Sequence, residues 1–343
     1  MRAMRLEKGQ LPPAGAVLAQ NVPGPDGRVA LDKGAVLGAE ELQRLSELPW
    51  SELHLIALEP GDVHEEEAGR RLAAALAGDG VDVEPLSAGA FPLVARHRGL
   101  LEYDPALLAR LNEIDDLAVY ARPAGTVAGE RERIGGAKII PFVTREERLS
   151  AAERIASGGL LRVRRFLPVR VAVLVEDGVE ERVLSRARRA LEEKLAFFGS
   201  DLAAVERVRM STDALADALR AALRSRAELV ILAGGNPMDP LDPALLALER
   251  AGARMEKHGI PAQPGTLLWL AYAGAVPIVG APSCGLFAKA TALDLLLPPL
   301  LTGERLSRTA VASLGAGGLI TAEVSWRLAP YRTGSPRGQL DPE

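Results

Sequence analysis

Three loops of this chain combine glycine, proline and polar residues in the manner of anion-binding sites. The first runs Ala233-Gly234-Gly235-Asn236-Pro237-Met238-Asp239-Pro240-Leu241-Asp242-Pro243. Two glycines directly after an apolar run let the backbone approach a ligand closely and offer its N–H groups to phosphate. Gly234, Gly235 and Asn236 are therefore candidate binding residues. Asp239 and Asp242 follow, at a spacing able to hold Mg²⁺ beside a nucleotide. Asp242 before Pro243 is equally a helix N-cap with proline at the first helical position. The second loop is Gly280-Ala281-Pro282-Ser283-Cys284-Gly285, with Lys289 soon after. Small residues entering a helix N-terminus make an anion site, and Lys289 would supply a point charge. Cys284 there would have a lowered pKa, or else be a small buried hydrophobe. Lys289 reads equally as a solvated helix residue. Between these two loops, Pro261-Ala262-Gln263-Pro264-Gly265 reads on its own as a turn.

Other chemistries lack their residues. No GxxxxGK[ST], GxGxxG or GxSxG pattern occurs, which removes the main support for P-loop, dinucleotide-binding and serine-hydrolase readings. The four histidines are scattered and read as surface or capping residues. A single cysteine excludes an intramolecular disulfide and a CxxC metal site. A formal net charge of −4 argues against a protein that coats nucleic acid. The longest apolar runs fall short of the roughly 20 residues of a membrane span, and the N-terminus lacks a signal-like apolar run. A cytoplasmic protein without nucleic-acid or membrane partners is expected.

The elements that must position these loops follow from hydrophobic period. The 343 residues suit two or three domains. Residues 14–36 read as a small β unit turning at Gly24-Pro25-Asp26-Gly27, followed by a helix near 39–47 and a strand at 52–58. Asp62 with Glu65 forms a capping box that predicts a helix from there to about residue 77. Residues 81–145 alternate short strands with one helix near 105–112, and Ala137–Phe142 reads as a closing strand. After an Arg-rich stretch, strands near 169–175, 202–208, 228–233 and 276–279 alternate with helices at 181–198, 211–226, 243–253 and 286–301. That order predicts an α/β domain of three layers with a mostly parallel sheet, binding ligand beyond the carboxyl ends of its strands. The expected division is a small α+β unit at 1–80, a mixed β/α region at 81–150, a linker at 151–167, the α/β domain at 168–305, and a tail with a short strand at 306–343. The part before the linker is a smaller α+β region.

Taken together on this frame, the loops resemble the molybdopterin-binding domain shared by molybdopterin adenylyltransferases and molybdotransferases, the two parts of gephyrin-like proteins. That family's Thr-Gly-Gly loop with an aspartate seven residues on is matched by Gly234, Gly235 and Asp242. Its Lys-Pro-Gly is matched by Gln263-Pro264-Gly265. Its Leu-Pro-Gly-Asn-Pro loop is matched in position by Ala281-Pro282-Ser283-Cys284-Gly285. A bacterial group of molybdopterin-binding proteins is closer still. The likeness to it extends to Lys289 and Asp294, to Leu314-Gly315-Ala316-Gly317-Gly318-Leu319-Ile320, to Leu58–Glu65 and to Lys138–Phe142. Departures are Ala233 for threonine, Asn236 for a hydroxyl residue, Ser283 for glycine, and Val175–Glu180 in place of Thr-Gly-Asp-Glu-Leu.

The resemblance implies molybdopterin as ligand or substrate, with Gly234, Gly235, Asn236, Pro264, Gly265, Pro282, Ser283, Cys284, Gly285 and Lys289 around it. Asp242 would be the catalytic residue, and Asp239 with Asp242 would hold Mg²⁺ beside ATP. It further implies a homo-oligomer, dimer or trimer, and other proteins of the same biosynthesis as partners. Two functions follow. One is an adenylyltransferase or molybdotransferase-like enzyme; the other is a carrier or sensor that keeps the fold without turnover, which the departures favour. An unrelated nucleotide- or sugar-phosphate-binding α/β protein is a third.

Overall fold

Leu, Val, Ile and Ala dominate the interior, and they gather into separate clusters along the chain. A computed structural model describes residues 1–85, 89–282, 290–321 and 327–331. By internal contacts the chain divides into two units. One comprises Met1–Ala124 with Ala128–Val163, the other Gly125–Val127 with Arg164–Glu343.

The first unit holds two cores. Leu18, Val22, Leu31, Leu45, Leu53 and Leu55 close a small one, over which Arg2–Glu7, Val17–Leu18 and Glu52–Ala57 form an antiparallel sheet. Leu72, Leu76, Leu93, Leu101, Ile134, Ile139 and Leu149 build the larger. Its helices Glu65–Leu76 and Glu146–Ala156 are clamped by Arg71, whose guanidinium donates to Glu146 and Glu153 at 2.8–2.9 Å.

Two expectations in this unit need correction. The helix after residue 62 is capped by His64, which accepts from the Glu66 N–H, and not by Asp62. Asp62 lies in the strand Asp62–His64, paired antiparallel with Val143–Arg145. Its covered carboxylate binds Arg145 at 2.8 Å and the N-terminal ammonium at 2.7 Å, so the pairing it enters outweighs a cap. The strand expected at 137–142 is Arg133–Ile139. It stops before Pro141, which has no N–H to offer a ladder.

In the second unit Arg170–Glu176, Asp201–Val208, Leu229–Ala233 and Val276–Ala281 pair in parallel. Trp269–Ala273 and Arg254–His258, neither expected as a strand, extend the sheet antiparallel to their neighbours. The order is 201–208, 170–176, 229–233, 276–281, 269–273, 254–258. Two successive antiparallel steps restore the direction, so only Trp269–Ala273 runs against the rest. On one face Ala172, Leu174, Val230, Leu232 and Ile278 pack with Leu215, Leu219, Ala247 and Leu248 of the helices Thr212–Arg224 and Pro243–Arg250. The alternate residues Val171, Val173, Val175 and Ile231 are equally buried, so the opposite face is covered too. Glu181–Phe197 and Ala292–Leu300 supply further apolar helix faces, and Lys194 of one reaches Asp294 of the other at 2.7 Å.

The last long helix begins at Ala292, where a helix from residue 286 was expected; residues 286–289 lie outside the described set. Thr291 and Asp294 form a reciprocal capping box, Thr291 Oγ1 accepting from Leu293 N and Asp294 Oδ2 from Thr291 N. Residue 291 is thus an extended cap and cannot be helix interior. Among the described residues no helix is long and apolar enough to cross a membrane.

Candidate functional site

Strand register brings the three loops to one edge of the second unit. The first loop leaves the carboxyl end of Leu229–Ala233, and Ala281-Pro282 ends the neighbouring parallel strand. The Gly234 N–H donates to the Ala281 carbonyl at 2.9 Å, which ties first loop to last. Trp269 pairs with Gly280 at the head of the antiparallel strand, so the Pro261–Gly265 loop must lie at that same edge. There the Pro264 carbonyl accepts from Ala292 N at 2.8 Å, across a cis Gln263–Pro264 peptide. Gly265 has φ +117°, and a Cβ on it would stand 2.7 Å from Ala292 N, so no larger residue fits the seam. Gln263 also exchanges hydrogen bonds with the tail, donating to the Gly318 carbonyl and accepting from Ile320 N, each at 2.8 Å. The Gly-rich segment near 314–320 therefore braces the middle loop.

Asp242 organises the first loop. It is 5% exposed and is the N-cap of Pro243–Arg250, Oδ1 accepting from Ala244 N at 2.8 Å. Oδ2 accepts from Asn236 N at 2.6 Å, pulling the loop back onto the helix start. Gly235 sits at φ +81°, and a Cβ there would come within 2.8 Å of Oδ2. Asp239 is exposed, and its Oδ1 accepts from Leu241 N at 2.9 Å. The glycine loop was expected to offer its N–H groups to phosphate. Instead those of Gly234, Asn236, Met238, Asp239, Leu241 and Asp242 serve bonds within this edge, and only the Gly235 N–H makes none among the described residues. The cause is the density of Asx acceptors in the segment: Asn236, Asp239 and Asp242 each satisfy a backbone donor nearby.

Gly234, Gly235, Asn236, Asp239, Asp242, Pro264, Gly265 and Pro282 thus share one edge. Ser283, Cys284, Gly285 and Lys289 lie outside the described residues. Among the described residues no group of three or more His, Cys, Asp or Glu gathers as a metal cage.

Sequence reasoning missed two features. Glu176 ends the strand Arg170–Glu176, and its Cβ would lie 2.9 Å from a Cβ on Gly234, so a second carboxylate flanks the glycine pair. Its position as the last residue of a buried strand was the available signal. The second feature is a buried cluster behind the helix that carries the middle loop. Lys194 pairs with Asp294 and lies 5.4 Å from the Tyr331 ring centre, which packs edge-on against Phe197 and Phe198. Burial pushes the Tyr331 phenol well above its ordinary range, with the Asp294 carboxylate adding to the shift.

No protein-family model and no curated protein matches the chain. Several solved structures resemble it. A molybdenum cofactor biosynthesis protein B shares 17% identity and a TM-score of 0.32, over 40% of this chain and 94% of that one. The molybdopterin biosynthesis MoeA protein of Pyrococcus horikosii shares 14% identity and a TM-score of 0.30, over 74% and 81%. The molybdopterin biosynthesis Mog protein of Mycobacterium ulcerans shares 17% and 0.31, over 39% and 95%.

Proposed function

We propose that this chain binds molybdopterin or its adenylate at the carboxyl edge of the second unit's sheet and serves in molybdenum cofactor biosynthesis. The observation that supports this best is the convergence of the three motif-bearing loops. Gly234–Ala281 joins the outer two, and Pro264–Ala292 seats the third on the helix that follows. Three segments far apart in sequence, each resembling a motif of that family in residue type or position, meet on the edge where parallel sheets take ligands. The Gly235 N–H and the pair of close-approach glycines suit a phosphate-bearing tail, and the protein's part is to hold and orient it.

Binding is the stronger reading, and turnover the second. Asp239 and Asp242 do not by themselves make a resident Mg²⁺ site. Both Asp242 oxygens already accept backbone N–H groups, Asp239 is exposed and turned to its own loop, and among the described residues no third ligating residue joins them. What favours catalysis is the flanking of Gly234 and Gly235 by Glu176 and Asp242, two carboxylates beside the loop proposed to hold the phosphate. Protein purified from cells that make the cofactor should release a fluorescent oxidised pterin in stoichiometric amount, and Asp242→Asn should retain it. Absence of pterin, with no uptake of added molybdopterin, would remove the proposal. Incubation with Mg-ATP separates the two readings: conversion of bound molybdopterin to its adenylate establishes the transferase, and unchanged pterin the carrier.

A further inference from the structure

The C-terminal tail touches the carboxyl edge of the second unit on both sides of one seam. That seam is the hydrogen bond from Ala292 N to the Pro264 carbonyl, which joins the middle loop to the helix Ala292–Leu300. On the loop side, Gln263 is held through both its backbone groups, by Gly318 and Ile320. On the helix side, the Asp294 carboxylate is met by Tyr331. The residues held in this way stand one before Pro264 and two after Ala292. Arg327 donates to the Ala316 carbonyl at 2.7 Å, so the two parts of the tail are also tied to each other.

Tyr331 is turned against the habit of its type. A tyrosine near a surface lays its ring on apolar neighbours and keeps its hydroxyl in water. Here the residue is half-buried, yet its hydroxyl oxygen is covered. The ring stands edge-on to Phe197 at 5.7 Å and to Phe198 at 5.9 Å, with the Lys194 ammonium 5.4 Å from its centre. Burial first, and the Asp294 charge second, push the phenol well above its ordinary range, so it stays protonated. A protonated phenol beside a carboxylate acts toward it as a donor. Among the described residues the hydroxyl closes no direct hydrogen bond. Packing alone therefore does not account for tyrosine, since phenylalanine would fill the same space without a desolvated hydroxyl.

What the hydroxyl can govern is Asp294. One oxygen of that carboxylate takes Lys194 at 2.7 Å, and the other accepts from Thr291 N at 2.8 Å, the bond that starts the helix. Thr291 precedes Ala292, whose own N–H makes the seam. A carboxylate free to rotate releases Thr291 and loosens the seam; one restrained on a third side keeps both.

We propose that Tyr331 is a positioning residue for the carboxyl edge: its hydroxyl restrains Asp294 and, through Thr291 and Ala292, fixes where the middle loop sits. The inference rests on the reading that this edge binds the ligand. It adds a residue of the tail to the determinants of that binding, one that acts through Asp294.

Tyr331→Phe in the full-length protein tests this by three measurements. They are urea unfolding, amide hydrogen exchange of Thr291 and Ala292 in ligand-free protein, and uptake of added molybdopterin followed by pterin fluorescence. The unfolding midpoint should stay or rise, because a covered hydroxyl without a hydrogen bond is removed. Exchange at Thr291 and Ala292 should quicken about tenfold, and molybdopterin affinity should fall about three- to tenfold, the scale of one lost polar restraint. A tyrosine that serves packing alone would lower midpoint and affinity together, and that result would overturn the proposal. So would unchanged exchange at both amides, or quickened exchange with unchanged uptake. Failure of the ligand reading looks different. Wild-type protein that takes up no molybdopterin, with Thr291 and Ala292 still loosened by Tyr331→Phe, would lose that reading and keep the positioning role.

Discussion

Asp242 shows how one side chain can be claimed by both structure and chemistry. Its oxygens cap a helix and hold Asn236 N–H, so removing them frees two backbone donors in a nearly dry position. Loss of an N-cap costs about 0.5–2 kcal/mol, and an unsatisfied buried donor about 1–3 kcal/mol more. Asp242→Ala should therefore lower stability by about 2–4 kcal/mol, whereas Asp242→Asn, which keeps one oxygen, should lose about half as much. Urea unfolding of both variants checks this, and near-equal losses would mean that the carboxylate does not hold the loop. At this scale the glycine pair and Asp242 were legible in sequence, because proline at N1 and the small residues have short-range causes. The internal use of the loop's N–H groups was not, since it depends on where Ala281 arrives from the next strand over.

The element that carries most consequence is the helix Ala292–Leu300. Its first turn receives the Pro264 carbonyl, and its Asp294 is fully covered, with Lys194 only 12% exposed beside it. A buried pair is weak evidence of net stabilisation, but removing one partner strands the other charge at a cost of about 3–5 kcal/mol. Lys194→Met should show a loss of that size in unfolding free energy, and Lys194→Met with Asp294→Leu a smaller one. If the single and double variants unfold alike, the pair does not position this helix. Helix existence was readable from the apolar period, but its start was misplaced by several residues. Thr291 with Asp294 is a capping box in plain sequence, overlooked because the preceding residues continue the apolar pattern. The strands Arg254–His258 and Trp269–Ala273 were missed for another reason. Arg254–His258 has little alternation, and Trp269–Ala273 is a short apolar run that fits a buried strand or a buried helix equally well.

At the scale of the whole molecule, two carboxyls of the first unit, Glu146 and Asp62, should make stability fall in acid. Hydrogen bonds from Arg71 and then Ser150 hold the Glu146 carboxyl at about 2, against an ordinary 4.5. Burial alone would raise Asp62, yet the N-terminal ammonium, the Glu59 N–H and Arg145 together bring it from 3.8 to about 2. Folded pKa values below the unfolded ones give stability that is complete above about pH 4.5 and is lost as pH falls toward 2. Urea unfolding from neutral pH down to pH 2 should show that decline. Arg71→Met should remove the part due to Glu146, leaving a shallower dependence; an unchanged slope would sink the assignment.

From the sequence by itself came the alternation of strand and helix after residue 168, the parallel character of the sheet and the residue types of its loops. Each of these follows from local period, capping chemistry or the conformational range of glycine. Only tertiary structure decided that the loops meet, that Glu176 flanks the glycines and that the tail braces Gln263. Those facts depend on strand order and register, which are settled by packing between segments tens of residues apart, and no local period encodes them.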